Sequence, residues 1–432
     1  MVELRKEAER QVAGRSKKKP LSRRQGLARY LRELEVVDYR LIISIVFLCV
    51  FGLIMIYSAS AAESGVSLVL KQFGIGAGGF VLMWIVSYVD YHFYEKIAGI
   101  IYIGAVLSMF LVKVPGLGVT RNGASRWIDI GPFSFQPSEF VKPAMVILMA
   151  YLLTRMGRKL SILKADIVLL IPGVIAVMVI LVVTKNLSTA LIVLGIIAFM
   201  FFIAYPTKKI WRLIAVIGVV IVVGWLGYYH FVIVPNHTMT LTNTVTEAAS
   251  KSFRDDRILA WLYPDDYPQA SMQSRYSMYA IGFGGILGRG LGRGTMKYYL
   301  PFSTNDFIFG VIGEELGLVG CGLVVFLFVY QVWRIFTVAQ HAKDKLGSYM
   351  AFGVGIHVAL QVILNIGVAT GVLPNTGISL PYISYGGTAL LLQLCEMGIV
   401  LNISRQIPGR RVRIGDSSQK SEHEEHRQIH AA

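Results

Sequence analysis

Charge is scarce in this chain. Only 16% of its 432 residues are Asp, Glu, Lys or Arg, against about a quarter in an ordinary soluble domain. Cysteine is scarcer still: Cys49, Cys321 and Cys395 stand alone, inside apolar stretches and with no CxxC pair. An odd count of isolated thiols implies neither a disulfide framework nor a cysteine-built zinc site. No G-x-x-x-x-G-K-[ST] string occurs, so the glycine-rich stretch IGFGGILGRGLGRG (281–294) has no phosphate-binding setting. It reads instead as a re-entrant or surface-lying segment whose backbone packs closely against protein. The short alternating segments of a membrane β-barrel are also lacking.

Apolar runs are abundant. The chain is 54% hydrophobic with a mean hydropathy of +0.58, and runs of about 20 residues, enough to span a bilayer as helix, recur along it. The expected spans lie near 41–60, 67–89, 96–113, 139–155, 166–184, 187–205, 210–233, 306–336, 347–372 and 386–404. The fold class is therefore an all-α polytopic membrane protein of about ten helices. A long loop, residues 234–305, separates the seventh and eighth.

Basic residues orient it. Twelve Lys and Arg fall in the first 40 residues, and the bias repeats in RMGRKLSILK (155–164), TKKIWR (207–212), WRIFTVAQHAKDK (333–345) and the C-terminal tail. The positive-inside rule makes these segments and both termini cytoplasmic. The net charge of +16 thus reflects membrane topology rather than a nucleic-acid partner. The expected organisation is a basic cytoplasmic tail (1–38), a membrane domain (39–406) and a disordered cytoplasmic tail (407–432). The three His of that last segment are too loosely placed for a metal site. The charged leader is too long for a signal-peptide n-region, so the first span reads as an anchor.

The opposite face holds 114–138, 234–305 and 373–385. In FSTNDFIFGVIGEELG (302–317), Asp306 ends a run of good N-cap residues before the eighth span, so it reads either as a helix cap or as a functional group. Glu314 and Glu315, deeper in the span, read as functional or as partners for basic residues. In QPSEFVKPAM (136–145), Glu139 and Lys142 share a helix face at i, i+3, which fits a local ion pair or a site. Upstream, TRNGASRWIDIGPFSF (120–135) carries Arg121 and Arg126 on the face the charge rule leaves poor in Arg.

Three segments, NGASRWIDIGPFSFQPSEFVK, STNDFIFGVIGEELG and LPNTGISLPYISYGGTALL, resemble signature stretches of the SEDS family (shape, elongation, division and sporulation proteins). The ten-span plan with its long loop matches as well, over residues 38–406. The first stretch and the basic leader look more like the division branch than the elongation branch. The resemblance implies a peptidoglycan glycosyltransferase that polymerises lipid II on the outer face of the bacterial plasma membrane. The implied partners are a class B penicillin-binding protein, which cross-links the product, and other division-complex proteins.

The family's essential aspartate falls on Asp306, its motif Arg on Arg126, its helix-four pair on Glu139 and Lys142, and its S-Y-G-G on Ser384, Tyr385, Gly386 and Gly387. Two departures stand out: Pro301-Phe302 replaces the usual Pro-Glu, and Lys185-Asn186-Leu187-Ser188-Thr189 lacks the usual Pro. A sugar hydroxyl needs a base, which a positioned carboxylate supplies. A departing lipid pyrophosphate needs Arg or Lys, or a divalent ion such as Mg, to meet its charge, and Arg126, Lys142 and Lys297 are the candidate residues. A lipid II flippase would need a similar cavity but make no polymer, and a division scaffold would need only the spans and tails.

Overall fold

The computed structural model describes residues 37–60, 65–121, 124–130, 133–156, 162–204, 253–301 and 303–407. The expected span at 210–233, the first part of the long loop, the 157–161 and 207–212 segments and both tails lie outside the described residues. Helices α1 (Tyr39–Ala59), α2 (Gly65–Tyr88) and α3 (Tyr91–Ser108, continued by a 3-10 turn to Lys113) come first. Strands β1 (Gly118–Arg121), β2 (Ala124–Ile130) and β3 (Phe133–Phe135) follow, then α4 (Pro137–Met156), α5 (Ile162–Val179, continued by a π-turn to Thr184) and α6 (Leu187–Ala204). The rest of the described chain is α7 (Phe253–Leu262), α8 (Pro268–Gly284), α9 (Ile308–Gln340), α10 (Lys345–Ala369) and α11 (Gly387–Arg405). Every expected span except 210–233 coincides with one of these helices. Seven of them are long and apolar enough to cross a membrane by composition alone.

The bundle has an outside of lipid-facing apolar residues and a polar-studded centre. Helix α2 leaves Val66, Leu70, Phe73 and Ile85 exposed, whereas residues 141–150 of α4 are all buried. At one end the turns are fixed by caps. Asp38, Asp90 and Asp344 accept from the backbone N–H of Leu41, His92 and Gly347, opening α1, α3 and α10. The His92 ring lies 2.7 Å from Asp90 and 2.9 Å from Asp344, tying two of those turns together.

The other end carries the long connections. Strands β1, β2 and β3 form a small antiparallel sheet, where the sequence pattern gave no strand signal. Its Ile128 packs on Val112 and Val183, so the sheet sits on the ends of α3 and α5. The 371–386 segment descends among the helices. Its Tyr382 carbonyl and Ile383 Cα stand so close to Gly52 that a Cβ there would lie 2.8 and 2.7 Å away. Gly52 is seven residues inside the end of α1, about 10 Å at 1.5 Å per residue.

Helix α9 is broken. Gly317 (φ 66°, ψ −164°) interrupts it, in a region of backbone conformation open only to glycine. Helix α8 runs parallel to the first piece of α9, with Ser277 against Gly310 and Ile281 against Gly313. The glycine-rich turn that follows supplies what the break removes. Leu318 and Val319 N–H donate to the Gly285 and Ile286 carbonyls, and Arg289 and Gly290 N–H donate to those of Glu314 and Glu315. Backbone freed inside a membrane helix persists only when protein satisfies it in this way. The expectation of backbone packed closely against protein holds here.

Candidate active site

A cavity of about 460 Å³ opens at the loop-bearing end. Arg126 and Trp127 of β2, Glu139 and Lys142 of α4, Asp306, Tyr385 and Gly386 all line it. The structure therefore brings together most of the residues singled out in the sequence, from segments up to 260 positions apart.

Glu139 and Lys142 form the i, i+3 pair, Nζ to Oε2 2.7 Å, with Lys142 buried and Glu139 facing the cavity. The ammonium also donates to Gln361 Oε1 at 3.3 Å, and the Gln361 amide donates to the Ser379 carbonyl. Arg126 holds the end of α5: Nε donates to the Thr184 carbonyl (3.1 Å) and Nη2 to that of Lys185 (2.6 Å), a residue in left-handed conformation. One guanidinium thus joins the small sheet to a helix terminus at the cavity rim.

Asp306 is half-buried in the cavity wall. It does not cap α9. The residue at the cap is Phe307, with no side-chain cap bond, and the Asp306 carboxylate accepts no hydrogen bond among the described residues. The capping expectation is overturned because the turn through 303–307 places Asp306 one residue too early. Burial pushes its carboxyl up to about 6. The charges of Arg257 and Arg126 oppose that rise and the charge of Glu139 adds to it. A methyl group built on Gly377 (φ 69°) would sit 3.3 Å from Asp306 Oδ2 and 3.8 Å from Arg257 Nη1, so carboxylate and guanidinium face each other across one glycine. Burial also lowers Arg257, with Asp306 acting the other way.

Two candidates lie elsewhere. Lys297 does not line the cavity: its buried ammonium is taken up by Glu315 (2.9 Å), Ser58 (3.3 Å) and the Gly292 carbonyl (2.9 Å). The glycine-rich turn carries it down to the break in α9. There Glu314 accepts from the backbone of Thr295 and Met296, and Glu315 from that of Gly292. Both glutamates also pair with basic residues of the turn, Glu314 with Arg289 (3.5 Å) and Glu315 with Lys297, which fits their expected role as partners for basic residues. Ser384 faces backbone, donating to the Asn305 carbonyl (2.6 Å) and accepting from Leu380 N–H (2.7 Å).

Sequence reasoning missed Arg257, Gln361 and Asn365. Arg257 carries no local signal. The other two do: His357, Gln361 and Asn365 recur every fourth residue along an otherwise apolar helix, and all three are buried. A polar stripe on one face of a span marks an interior site.

Among the described residues no three His, Cys, Asp or Glu group together as metal ligands. The cavity's carboxylates, Asp306 and Glu139, face Arg126, Arg257 and Lys142. That donor set suits an anion better than a resident divalent ion. Chemically, the cavity combines a carboxylate raised to about 6 with several cations.

Comparison with known proteins points one way. The model of the FtsW/RodA/SpoVE family, described as cell cycle proteins, matches residues 39–408. A relative from Geobacter sp. (strain M18), named probable peptidoglycan glycosyltransferase FtsW, is 36% identical over 389 residues, covering 88% of this chain and all of the relative. Stage V sporulation protein E of Bacillus subtilis (strain 168) is 34% identical, covering 85% of this chain and 97% of its own. Among solved structures, a chain of a peptidoglycan synthase complex superposes with a TM-score of 0.70 at 24% identity, covering 86% of this chain and 99% of that one. RodA of Thermus thermophilus gives 0.59 at 22% identity, covering 86% and 98%.

Proposed function

The chain belongs to the FtsW/RodA/SpoVE family of cell cycle proteins, and we propose that this member uses Asp306 as the general base of glycosyl transfer. It is a multi-pass membrane protein and a peptidoglycan glycosyltransferase. The substrate is lipid II, joined into glycan strands on the outer face of the plasma membrane. The carrying observation is the carboxylate itself: an Asp that accepts no hydrogen bond among the described residues, raised by burial to about 6, facing two arginines in a 460 Å³ cavity.

Each group has work that its geometry supports. A base working near neutrality needs a proton affinity close to the ambient pH, and burial gives Asp306 that affinity. It takes the proton of the attacking sugar hydroxyl as the new glycosidic bond forms. The departing lipid pyrophosphate gathers negative charge as its bond to the sugar breaks, and Arg257, Arg126 and Lys142 meet that charge with preorganised cations. Arg126 is fixed by the carbonyls it holds and Lys142 by Glu139 and Gln361, so little reorganisation is needed at the moment of reaction.

The partner follows from the family. A class B penicillin-binding protein cross-links the strands this chain makes, and the process they serve is septal synthesis in division, a reading that relatives named FtsW support while another relative is a stage V sporulation protein. The loop-bearing end faces outward and the capped end inward, with both termini cytoplasmic. The test is polymerisation of labelled lipid II by the purified full-length protein, alone and with its cognate transpeptidase. Glycan strands are expected. Transbilayer movement of lipid II with no polymer under either condition would replace this reading with a flippase.

A further inference from the structure

Asp306 has a reacting group but no visible means of holding it. Its carboxylate is tied to nothing by hydrogen bonds among the described residues, and it stands before the helix proper rather than in it. What is fixed is the backbone on either side of it. Three consecutive carbonyls each have a dedicated donor: Thr304 O accepts from Tyr385 N–H (2.9 Å), Asn305 O from Ser384 Oγ (2.6 Å) and Asp306 O from Asn365 Nδ2 (2.8 Å).

We propose that Asn365, with Ser384, is a positioning residue for Asp306: together they splint the 304–306 backbone and so fix where the base stands in the cavity. The inference rests on the reading of Asp306 as the base. Asn365 is fully buried in α10, and both protons of its amide are used, the second by the Ile378 carbonyl at 2.6 Å. Its Oδ1 finds no partner among the described residues. An amide oxygen left bare in an interior is costly, yet the orientation is forced, because a flipped amide would put oxygen against two carbonyls. The site retains an Asn there for its paired donors. One amide therefore clamps Asp306 to the 377–379 wall, whose Gly377 borders Asp306 Oδ2.

Ser384 acts at the neighbouring peptide. Its hydroxyl donates to Asn305 and accepts from Leu380 N–H, so it closes the 380–384 turn and holds the aspartate's chain with one atom. This gives the Ser of the S-Y-G-G stretch a role that needs no contact with substrate. Neither residue bonds Arg126, Lys142 or Arg257, so cavity cations and base position are separable.

The experiment is steady-state polymerisation of labelled lipid II by the full-length protein with its transpeptidase, normalised to folded protein, for Asn365→Leu, Ser384→Ala, Ser384→Thr and Asp306→Asn. A base displaced by about an ångström loses on the order of 10²-fold in rate. Asn365→Leu is therefore expected to lower kcat by about that factor with KM within about twofold, since the groups that hold the substrate stay in place. Ser384→Ala should lose roughly tenfold, the worth of one hydrogen bond, and Ser384→Thr should recover it. Should Asn365→Leu fail to fold, the Ser384 pair decides alone. Lowered melting temperatures with kcat per folded molecule within about twofold of wild type would overturn the splint. Activity retained by Asp306→Asn would instead overturn the base assignment, which keeps the two failures distinct.

Discussion

Asp306→Asn keeps the size and shape of the side chain and removes its charge and basicity, so it separates what the carboxylate does for catalysis from what it does to the fold. The carboxyl is moved by burial from an ordinary 3.8 to about 6, which means the folded protein holds this proton more tightly than the unfolded chain does. Its contribution to stability is complete below about pH 4 and is lost as pH rises through 6. Ionising it in the fold at pH 7.5 then costs about 3 kcal/mol by the bare shift, and about 1 kcal/mol once water in the open cavity is allowed for. Asn carries no such cost and forfeits no cap, because Asp306 caps nothing. The variant should therefore melt a degree or two higher at pH 7.5, with the gap closing as pH is lowered to 4. Polymerisation should fall by about 10²–10⁴-fold. The assay pairs glycan-strand formation from labelled lipid II with thermal melts of the same preparation across that pH range. A variant that polymerises at near wild-type rate, or that melts well below wild type, would refute the argument, the first by removing the base and the second by making Asp306 a structural residue.

Other outcomes follow from the same geometry. The rate of wild type should rise with pH to a plateau with its midpoint near 6, and Arg257→Gln should move that midpoint upward, since the Arg257 charge chiefly opposes the effect of burial on Asp306; an unmoved midpoint would separate Arg257 from the base. Lys142→Met leaves Glu139 without its cation and should cost about 3 kcal/mol, which Glu139→Gln in the same chain should largely restore while polymerisation stays low; restored activity in the double variant would make the pair purely structural. With the native thiols replaced, a cysteine at Asp265, whose side chain is 86% exposed, should react with an impermeant reagent added outside cells, and one at Lys343 should not. The reverse pattern would invert the orientation and put the cavity on the wrong side.

The spans were legible because each is a continuous apolar run, and lipid requires no finer pattern. The ion pair of α4 was legible because i, i+3 contacts are local. The sheet at 118–135 was not: its strands are short, and what holds them is the ends of α3 and α5 rather than an alternation of their own. Lys297 misled for a related reason. It lies nine residues before Asp306 in the chain, but glycines 285, 288, 290 and 292, all at positive φ, fold the turn back so that its ammonium meets Glu315 instead.

Asp306 shows the deeper limit. Its residue type, its place before a span and its family match were all readable, yet so was the capping role that the structure denies. What distinguishes a cap from a base is which neighbours the carboxylate lacks, and that depends on Phe307 taking the cap position and on Asn365, Ser384 and Tyr385 holding the preceding backbone away from it. Those donors come from 59 to 81 residues further along the chain. A carboxylate that accepts no hydrogen bond among the described residues, while its own peptide is bonded at every carbonyl from 304 to 306, fits the proposed exchange of a proton with a group in the cavity before it.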